Sequence, residues 1–486
     1  MRLNKIHIIG LSVTLSLGLS IANAQENENE VITSRYFDKI KQQKDNAKLT
    51  LFCSMMPKGG DIHHHYSGAM YAETYFDWGA SKGMMLNTNT FLLTQGPCGS
   101  CVSIDSLKKN GVLYRKVLDT WSDMDFSSFY HEQDQPDQHF FNTFSYFGNI
   151  SWAYYKKGLQ ELKARAGIEH VQYIETMLMS PSVPVTFTSA TQARLLAIEQ
   201  KKDSVTLAKV LDSLVTVIAA SSKYEPAIQN YIDSLYSYHS GIDDSSFTMR
   251  FQAYVSRNAN PDALFAKLYG CFDAVSKDKS SLIVGVNIVS PENGIISMRD
   301  YWLHMHMFAY LKNKFKNTKT AMHAGELCMG LVKPEDLTYH VNDAIYTAHA
   351  NRIGHGVDIP YETEALDVLK KMHDQGIAIE INLTSNEFIL GVKGNDHPVM
   401  MYYDAGVPIV ISTDDAGVSR NNLTTEYVKL VSRYPFGYEQ IKSFVYNSIE
   451  YSFLLDKDKV EVKKQLDYQF KTFETEVASG LATVLK

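Results

Sequence analysis

Four runs in the carboxyl-terminal half decide the fold: Thr318-Lys-Thr-Ala-Met-His-Ala-Gly-Glu326, Arg352-Ile-Gly-His-Gly-Val357, Ile377-Ala-Ile-Glu-Ile-Asn-Leu383 and Val407-Pro-Ile-Val-Ile-Ser-Thr413. Each is largely apolar or β-branched in its body and carries histidine, acidic, amide or hydroxyl residues toward its end. Between them, Glu335–Ala350 and Glu362–Gln375 have helical periodicity, so each run with its helix is the size of a βαβ unit. Working outward toward the amino terminus, Gly60–Tyr66, His170–Met179, Phe247–Ser256 and Leu282–Ser290 bring the number of such runs to eight. Eight strand–helix units predict a (β/α)8 TIM barrel, an α/β fold whose chemistry sits at the carboxyl ends of the strands.

Two insertions interrupt the spacing. About 100 residues (67–168) separate the first strand from the second, with Cys98-Gly-Ser-Cys101 and aromatic residues around Trp121 and Phe140–Phe147 inside them; a long helical or irregular insertion is expected. The second, 190–240, places Leu207, Val210, Leu211 and Leu214 at helical spacing and reads as a helical hairpin on the barrel's rim. Residues 25–55 read as an amino-terminal helical segment and 56–486 as the barrel. Ahead of them, Arg2, Lys5, the apolar run Ile8–Ile21 and Ala22-Asn23-Ala24 form a signal-peptide pattern over 1–24. Its apolar part falls short of the roughly 20 residues that cross a bilayer. The expectation is an exported protein, periplasmic or secreted, with no membrane span.

The 486 residues are 45% hydrophobic and 21% charged, which excludes disorder as the dominant state. With 47 basic against 54 acidic residues and no basic run, nucleic acid is disfavoured as a partner. Five cysteines are too few for a disulfide scaffold. Cys98 and Cys101 read as a short structural disulfide, the alternative being a redox pair without its usual βαβ context. Cys53, Cys271 and Cys328 read as packing residues, and Trp121 and the Phe140-Phe141 pair as insertion core rather than substrate platform.

The strongest chemical signal is Asp61-Ile62-His63-His64-His65. Residues two apart on a strand share a face, so His63 and His65 point together and His64 points away. Such a pair suits a divalent ion of borderline softness such as zinc. His304-Met-His306 has the same spacing in a helical segment, where two residues turn by ~200° and the rings diverge, so it receives no site. His323-Ala-Gly-Glu326, His355 between Gly354 and Gly356, and Ser412-Thr413-Asp414-Asp415 fall at the ends of the fifth, sixth and eighth strands. Three histidines and an aspartate, with a further histidine and glutamate beside them, describe an open hydrolytic centre. A metal there lowers the pKa of water toward about 7, a second histidine handles the proton, and a protonated glutamate donates to the leaving side.

Together with Met56-Pro57-Lys58-Gly59, Glu380-Ile-Asn-Leu-Thr-Ser385-Asn386 and His397-Pro398, these motifs resemble the adenosine deaminase family, from about Met56 to the helices after Asp415. The resemblance implies one Zn2+ per chain on His63, His65, His323 and Asp414. It further implies that Glu326 protonates purine N1 as water adds to C6, that His355 orients and deprotonates that water, and that Asp415 accepts a hydrogen bond at N7. The implied reaction converts adenosine or 2′-deoxyadenosine to inosine or 2′-deoxyinosine and ammonia. The lead-in, the signal peptide and the large first insertion are more similar to the secreted, growth-factor-related branch, although the Cys98–Cys101 spacing is much shorter than that branch's disulfide.

The pattern departs from the family at the sugar. The usual aspartate for the ribose 5′-hydroxyl, two residues after the second histidine, is Ser67 here, and the secreted branch's position for it is Tyr66. Ser290 stands where a glycine backbone meets purine N3. Ser67 and Ser290 therefore join Asp415 as candidate substrate contacts. The missing carboxylate weakens the expected hold on a 5′-hydroxyl and removes a repulsion against 5′-phosphorylated nucleosides.

Two rivals remain: a deaminase of another 6-aminopurine or other metal-dependent amidohydrolase, and an extracellular binding or signalling module on a vestigial barrel. A small-molecule purine nucleoside is the implied partner, and a homodimer stays open. A relict site has no reason to keep a poised acid, which argues against the module. Purified protein is expected to carry about one zinc per chain. His63→Ala should lose metal and activity together in a metal analysis paired with an ammonia assay, and full activity in a verified metal-free sample would contradict the centre.

Overall fold

The computed structural model describes residues 28–124 and 135–481; the expected signal peptide at 1–24 lies outside the described residues. Eight parallel strands form the barrel: β1 Gly59–His65, β2 Val171–Met177, β3 Thr248–Ser256, β4 Ile283–Val289, β5 Lys319–Ala324, β6 Arg352–His355, β7 Ala378–Ile381 and β8 Ile409–Ile411. Each pairs with its sequence neighbours. The ring closes where a parallel bridge joins His64 to Asp414, with Asp414 N–H donating to His63 O (3.0 Å) and His65 N–H to Asp414 O (3.2 Å). Both faces of the strands are buried, as in an all-parallel sheet wrapped by helices.

All eight expected runs are strands, and seven of them, all but Phe247–Ser256, stop short of the carboxyl ends read from sequence, four of those at or just before a left-handed residue. There the reason is backbone geometry: Ser290 (φ 83°), Gly325 (φ 75°), His355 (φ 71°) and Asp414 (φ 61°) turn through the left-handed region, which ends ladder pairing and swings the following residues over the mouth. The expected helix Glu335–Ala350 is a 3-10 turn, Pro334–Leu337, followed by a short helix, His340–Tyr346. Glu362 Oε1 accepts Val341 N–H at 2.5 Å and fixes where that helix begins. The second expected helix begins later, at Ala365, and ends at Gln375 before Gly376 (φ 62°).

The expected amino-terminal segment is helical over 28–42 and again over Asn46–Met55, capped by Asp45 on Lys48 N–H (3.0 Å). Phe37 and Phe52 clasp Tyr438 and Phe473 of the carboxyl-terminal helices Tyr438–Glu450 and Asp456–Glu476.

Both insertions differ from their expected form. The first contains a small antiparallel sheet, Met84–Asn87 between Leu93–Gln95 and Cys101–Ser103, whose strands are too short to show a period. Cys98 and Cys101 form a disulfide at the entry to its last strand. The second insertion is three helices, Ser189–Lys201, Ser204–Ala220 and Tyr224–His239, rather than a hairpin, because Lys202 turns left-handed (φ 51°) and Asp203 caps a new start. It does not sit on the rim. Leu207, Val210, Leu211 and Leu214 are buried as their spacing suggests, but the bundle covers helices Pro261–Lys277 and Ile295–Lys314 and forms an outer layer. Among the described residues no single helix is long and apolar enough to cross a membrane.

Polar residues thread the barrel's interior. Arg352 donates from Nη2 to Glu175 Oε1 and from Nε to Glu380 Oε1, both at 2.5 Å, and stacks 3.8 Å over the Phe453 ring. Glu175 Oε1 also accepts Gln252 Nε2 (2.7 Å), and Gln252 Oε1 accepts Asn287 Nδ2 (2.8 Å). Removing one partner of a buried ion pair leaves the rest uncompensated at about 3–5 kcal/mol. Arg352→Met should lower stability by that amount in urea unfolding, and a loss below about 1 kcal/mol would mean the two carboxylates have found other partners.

Candidate metal centre

The polar thread ends on two histidines. His63 Nδ1 meets Glu380 Oε2 at 2.7 Å, and His323 Nδ1 meets Asn287 Oδ1 at 3.0 Å. Since both acceptors lack a hydrogen, each Nδ1 donates, which leaves each Nε2 turned inward as the ring nitrogen that can bind an ion. His65 Nε2 lies 3.1 Å from His323 Nε2 and 3.2 Å from Asp414 Oδ1, and His63 Nε2 lies 3.4 Å from the same oxygen. The four donor atoms fall within 4.8 Å of one another. His64 faces away, held by Thr176 Oγ1 at 2.9 Å.

This donor set fits a tetrahedral metal of borderline softness, three nitrogens and one oxygen. A buried His63 Nε2 without a hydrogen-bond partner is the orphaned atom such an ion would satisfy. Burial lowers the pKa of His65, and burial with the neighbouring rings lowers that of His323 well below the usual range. For His63 burial acts the same way but is outweighed by Asp414 and Glu380, which raise it to about 10. Asp414 is held well below the usual carboxylate range: burial opposes the charge, and the adjoining imidazoles of His63 and His65 outweigh it.

Glu326 and His355 sit beside this cluster, with His355 Nδ1 3.4 Å from Glu326 Oε1. Burial, then the charges of Asp414 and Glu292, push the Glu326 carboxyl well above its ordinary range. Glu292 holds the turn beneath it, accepting Glu326 N–H (2.9 Å) and Gly325 N–H (3.2 Å) while paired with His340 (2.6 Å) and Arg257 (3.1 Å). Arg257 in turn donates to His323 O.

A relay fixes His355. Val399 N–H donates to His397 Nδ1 (3.2 Å), which leaves His397 Nε2–H to donate to Asn386 Oδ1 (3.1 Å). Asn386 Nδ2 then donates to His355 Nδ1 (2.9 Å), placing that ring's proton on Nε2, which is buried without a partner. Burial and the His63 charge lower His355 to about 3, so the ring is neutral.

Asp415 Oδ1 is also buried and unpartnered, and burial beside the Asp414 charge raises its pKa well above normal. The neighbouring chain approaches so closely that a Cβ on Gly68 would lie 1.5 Å from that oxygen. Ser67 and Ser290 line the same cavity of about 360 Å³. Ser290 holds a glycine-like backbone (φ 83°), and its hydroxyl donates to Ser256 Oγ at 2.8 Å. The structure thus brings the residues assigned from sequence together: all but His63 line one cavity, and His63 joins the donor cluster at its floor.

It also brings others. Phe140, Phe141 and Phe144 line the cavity from helix Pro136–Ser151, together with Met177 and Tyr254. Phe140-Phe141 is therefore not insertion core alone, as the sequence suggested, whereas Trp121 is: its Nε1–H donates to Phe91 O (3.0 Å) inside the insertion. Glu380 and Asn287 are not assigned from sequence, although each is a charge or amide alone inside an apolar strand, which requires a buried partner.

The adenosine deaminase family model matches residues 184–469, more than half of the chain and all of β3 to β8; His63 and His65 precede that span. Among curated relatives, the adenosine deaminase of Clostridium acetobutylicum is 31% identical over 169 residues, 35% of this chain and 47% of the relative. That of Plasmodium falciparum is 35% identical over 107 residues, 21% of this chain and 28% of the relative. The chain therefore spans about half or less of the length of these relatives. A Burkholderia ambifaria amidohydrolase with bound Zn has the same fold at 16% identity (TM-score 0.53, 88% of this chain and 94% of that one). So does the Arabidopsis N6-mAMP deaminase at 17% (TM-score 0.54, 86% and 99%).

A hydrogen-bonded partner that orients a metal-binding histidine is worth about 10–100-fold in metal affinity. Glu380→Gln should weaken metal binding by that factor in a chelator competition, with circular dichroism confirming the fold. Unchanged affinity would mean that Glu380 serves the barrel and not the centre.

Proposed function

The chain belongs to the adenosine deaminase family, and we propose that it removes the 6-amino group of adenosine or 2′-deoxyadenosine by hydrolysis, using one zinc held by His63, His65, His323 and Asp414. The observation that carries this reading is the meeting, in one cavity, of a three-histidine, one-aspartate donor set with a buried Glu326 3.4 Å from His355, where burial pushes the Glu326 carboxyl well above its ordinary range. Carboxyls driven apart in pKa by their surroundings are how one site keeps both an acid and a metal ligand at neutral pH. When bound, zinc supplies a water of lowered pKa.

The protein does the rest. Glu326 brings a proton to ring N1, which makes C6 open to attack. His355 offers Nε2–H to the oxygen of the incoming water, so orienting is the half of its implied role that the relay from Asn386 and His397 supports. Asp415, held protonated by burial, donates to N7. That reverses the direction the resemblance implies, because N7 of a neutral 6-aminopurine nucleoside has a lone pair and no hydrogen. Of the two protons on the water, one passes to the departing amino group and the other restores the Glu326 carboxyl, so that ammonia leaves and the 6-oxopurine nucleoside, carrying the N1 proton, remains.

Wild-type protein should release ammonia from adenosine, with a rate that falls as rising pH strips the proton from Glu326. Glu326→Gln should keep its metal and fold and lose about 10²–10⁴-fold in rate. A variant rate within a few-fold of wild type would remove Glu326 from the mechanism.

A further inference from the structure

On the proposed deaminase reading, the far end of the same cavity receives the sugar. The donor cluster, Glu326, His355 and Asp415 come from the ends of β1, β5, β6 and β8, so the C6 edge of a purine must face that side. The ribose and its 5′ substituent are then directed at the remaining wall, built by Ser67 just after β1, Met177 and Tyr254 at or near the carboxyl ends of β2 and β3, and Phe140, Phe141 and Phe144 from the insertion. That wall is aromatic and apolar with only neutral hydroxyls to offer, those of Ser67 and Tyr254, since the Ser290 hydroxyl already donates to Ser256. Tyr66 brings no polar group to it: the residue is buried, and its hydroxyl donates to Tyr154 O at 3.3 Å.

Charge decides the rest. No lysine or arginine is among the described residues lining the cavity. Residues 125–134, next in sequence to the wall's helix, contain none either. Every ionisable group lining the cavity, Tyr254 apart, stands at the reacting end. A phosphate ester carries about −1.5 to −2 charges at neutral pH and is normally met by arginine forks or lysines. Here it would be stripped of water against phenylalanines with no counter-charge. Removing a repelling carboxylate, as Ser67 does, is not the same as supplying an attraction. A methyl or thioether group at the same place would be buried against aromatic rings that favour it.

We infer that the cavity selects uncharged nucleosides, accepts an apolar 5′ substituent (5′-deoxy or 5′-alkylthio) at least as well as a 5′-hydroxyl, and excludes 5′-nucleotides. The test compares kcat/KM of the metal-loaded full chain for adenosine, 5′-deoxyadenosine, 5′-deoxy-5′-methylthioadenosine and 5′-AMP. The alkylthio nucleoside should equal or exceed adenosine, 5′-deoxyadenosine should fall within about tenfold of it, and 5′-AMP should lie at least roughly 100-fold below. Phe141→Ala should cost the alkylthio substrate about tenfold and adenosine no more than about threefold. A 5′-AMP value within about tenfold of adenosine, or adenosine favoured over the alkylthio nucleoside by more than about tenfold, overturns the inference. If adenosine and its analogues release no ammonia at all, the proposed function fails by itself. Calorimetric titration of the same protein with inosine, 5′-deoxy-5′-methylthioinosine and IMP then decides the inference: alkylthio binding as tight as inosine with IMP weakest supports it, and IMP binding tightest overturns it.

Discussion

Arg352, sealed inside the barrel between Glu175 and Glu380, is the ion pair on which the rest of the structure depends. A guanidinium buried this deeply is tolerable only with both carboxylates in place and its hydrogen bonds made. Those carboxylates are fixed in turn, and the fixing propagates. One branch runs through Glu380 to His63; the other runs through Glu175, Gln252 and Asn287 to His323. Seven strands each contribute one side chain, and the two ends of the chain are imidazoles whose proton positions it dictates. The eighth strand joins by backbone, through the two hydrogen bonds that set Asp414 between His63 and His65 and close the barrel. Barrel closure and assembly of the donor set are therefore one event.

The same cavity holds three carboxyls in different states. Asp414 touches two imidazoles and stays charged; Glu326 and Asp415, facing that charge in a dry setting, keep their protons. The order is physical: the group with the best cationic contacts ionises first and raises the rest. Backbone strain accompanies it, for Asp414 and His355 both sit at positive φ, at a cost of about 1–3 kcal/mol each. Strain of that size persists only where the surroundings over-determine the geometry, which the hydrogen-bonded thread and the closing bridge do here.

The first insertion has two duties with different chemistry. Its small sheet, disulfide and Trp121 make a self-contained packing unit, while one face of helix Pro136–Ser151 leaves that unit and forms the wall of the cavity. A segment that looks like an appendage in sequence thus supplies the part of the site that does not touch the reacting atoms.

Local pattern was enough for the eight strands, for His63 and His65 sharing a face with His64 turned away, and for Glu326, His355, Asp414 and Asp415 standing at strand ends. Alternation over a few residues encodes which way a side chain points, and the barrel rule encodes where strand ends meet. Pairings across the fold were not legible. Nothing near Glu380 announces His63, 317 positions away, and nothing near Asn287 announces His323. Periodicity made Phe140 and Phe141 apolar and helical without saying whether they faced core or cavity, and it placed the helices of the second insertion without saying what they would cover. The proton on Asp415 had the same origin, since its pKa follows from burial and a neighbouring charge that exist only once the barrel has closed. Sequence fixes direction along the chain; proximity across it, and with it the dielectric and charge each group meets, belongs to the folded molecule.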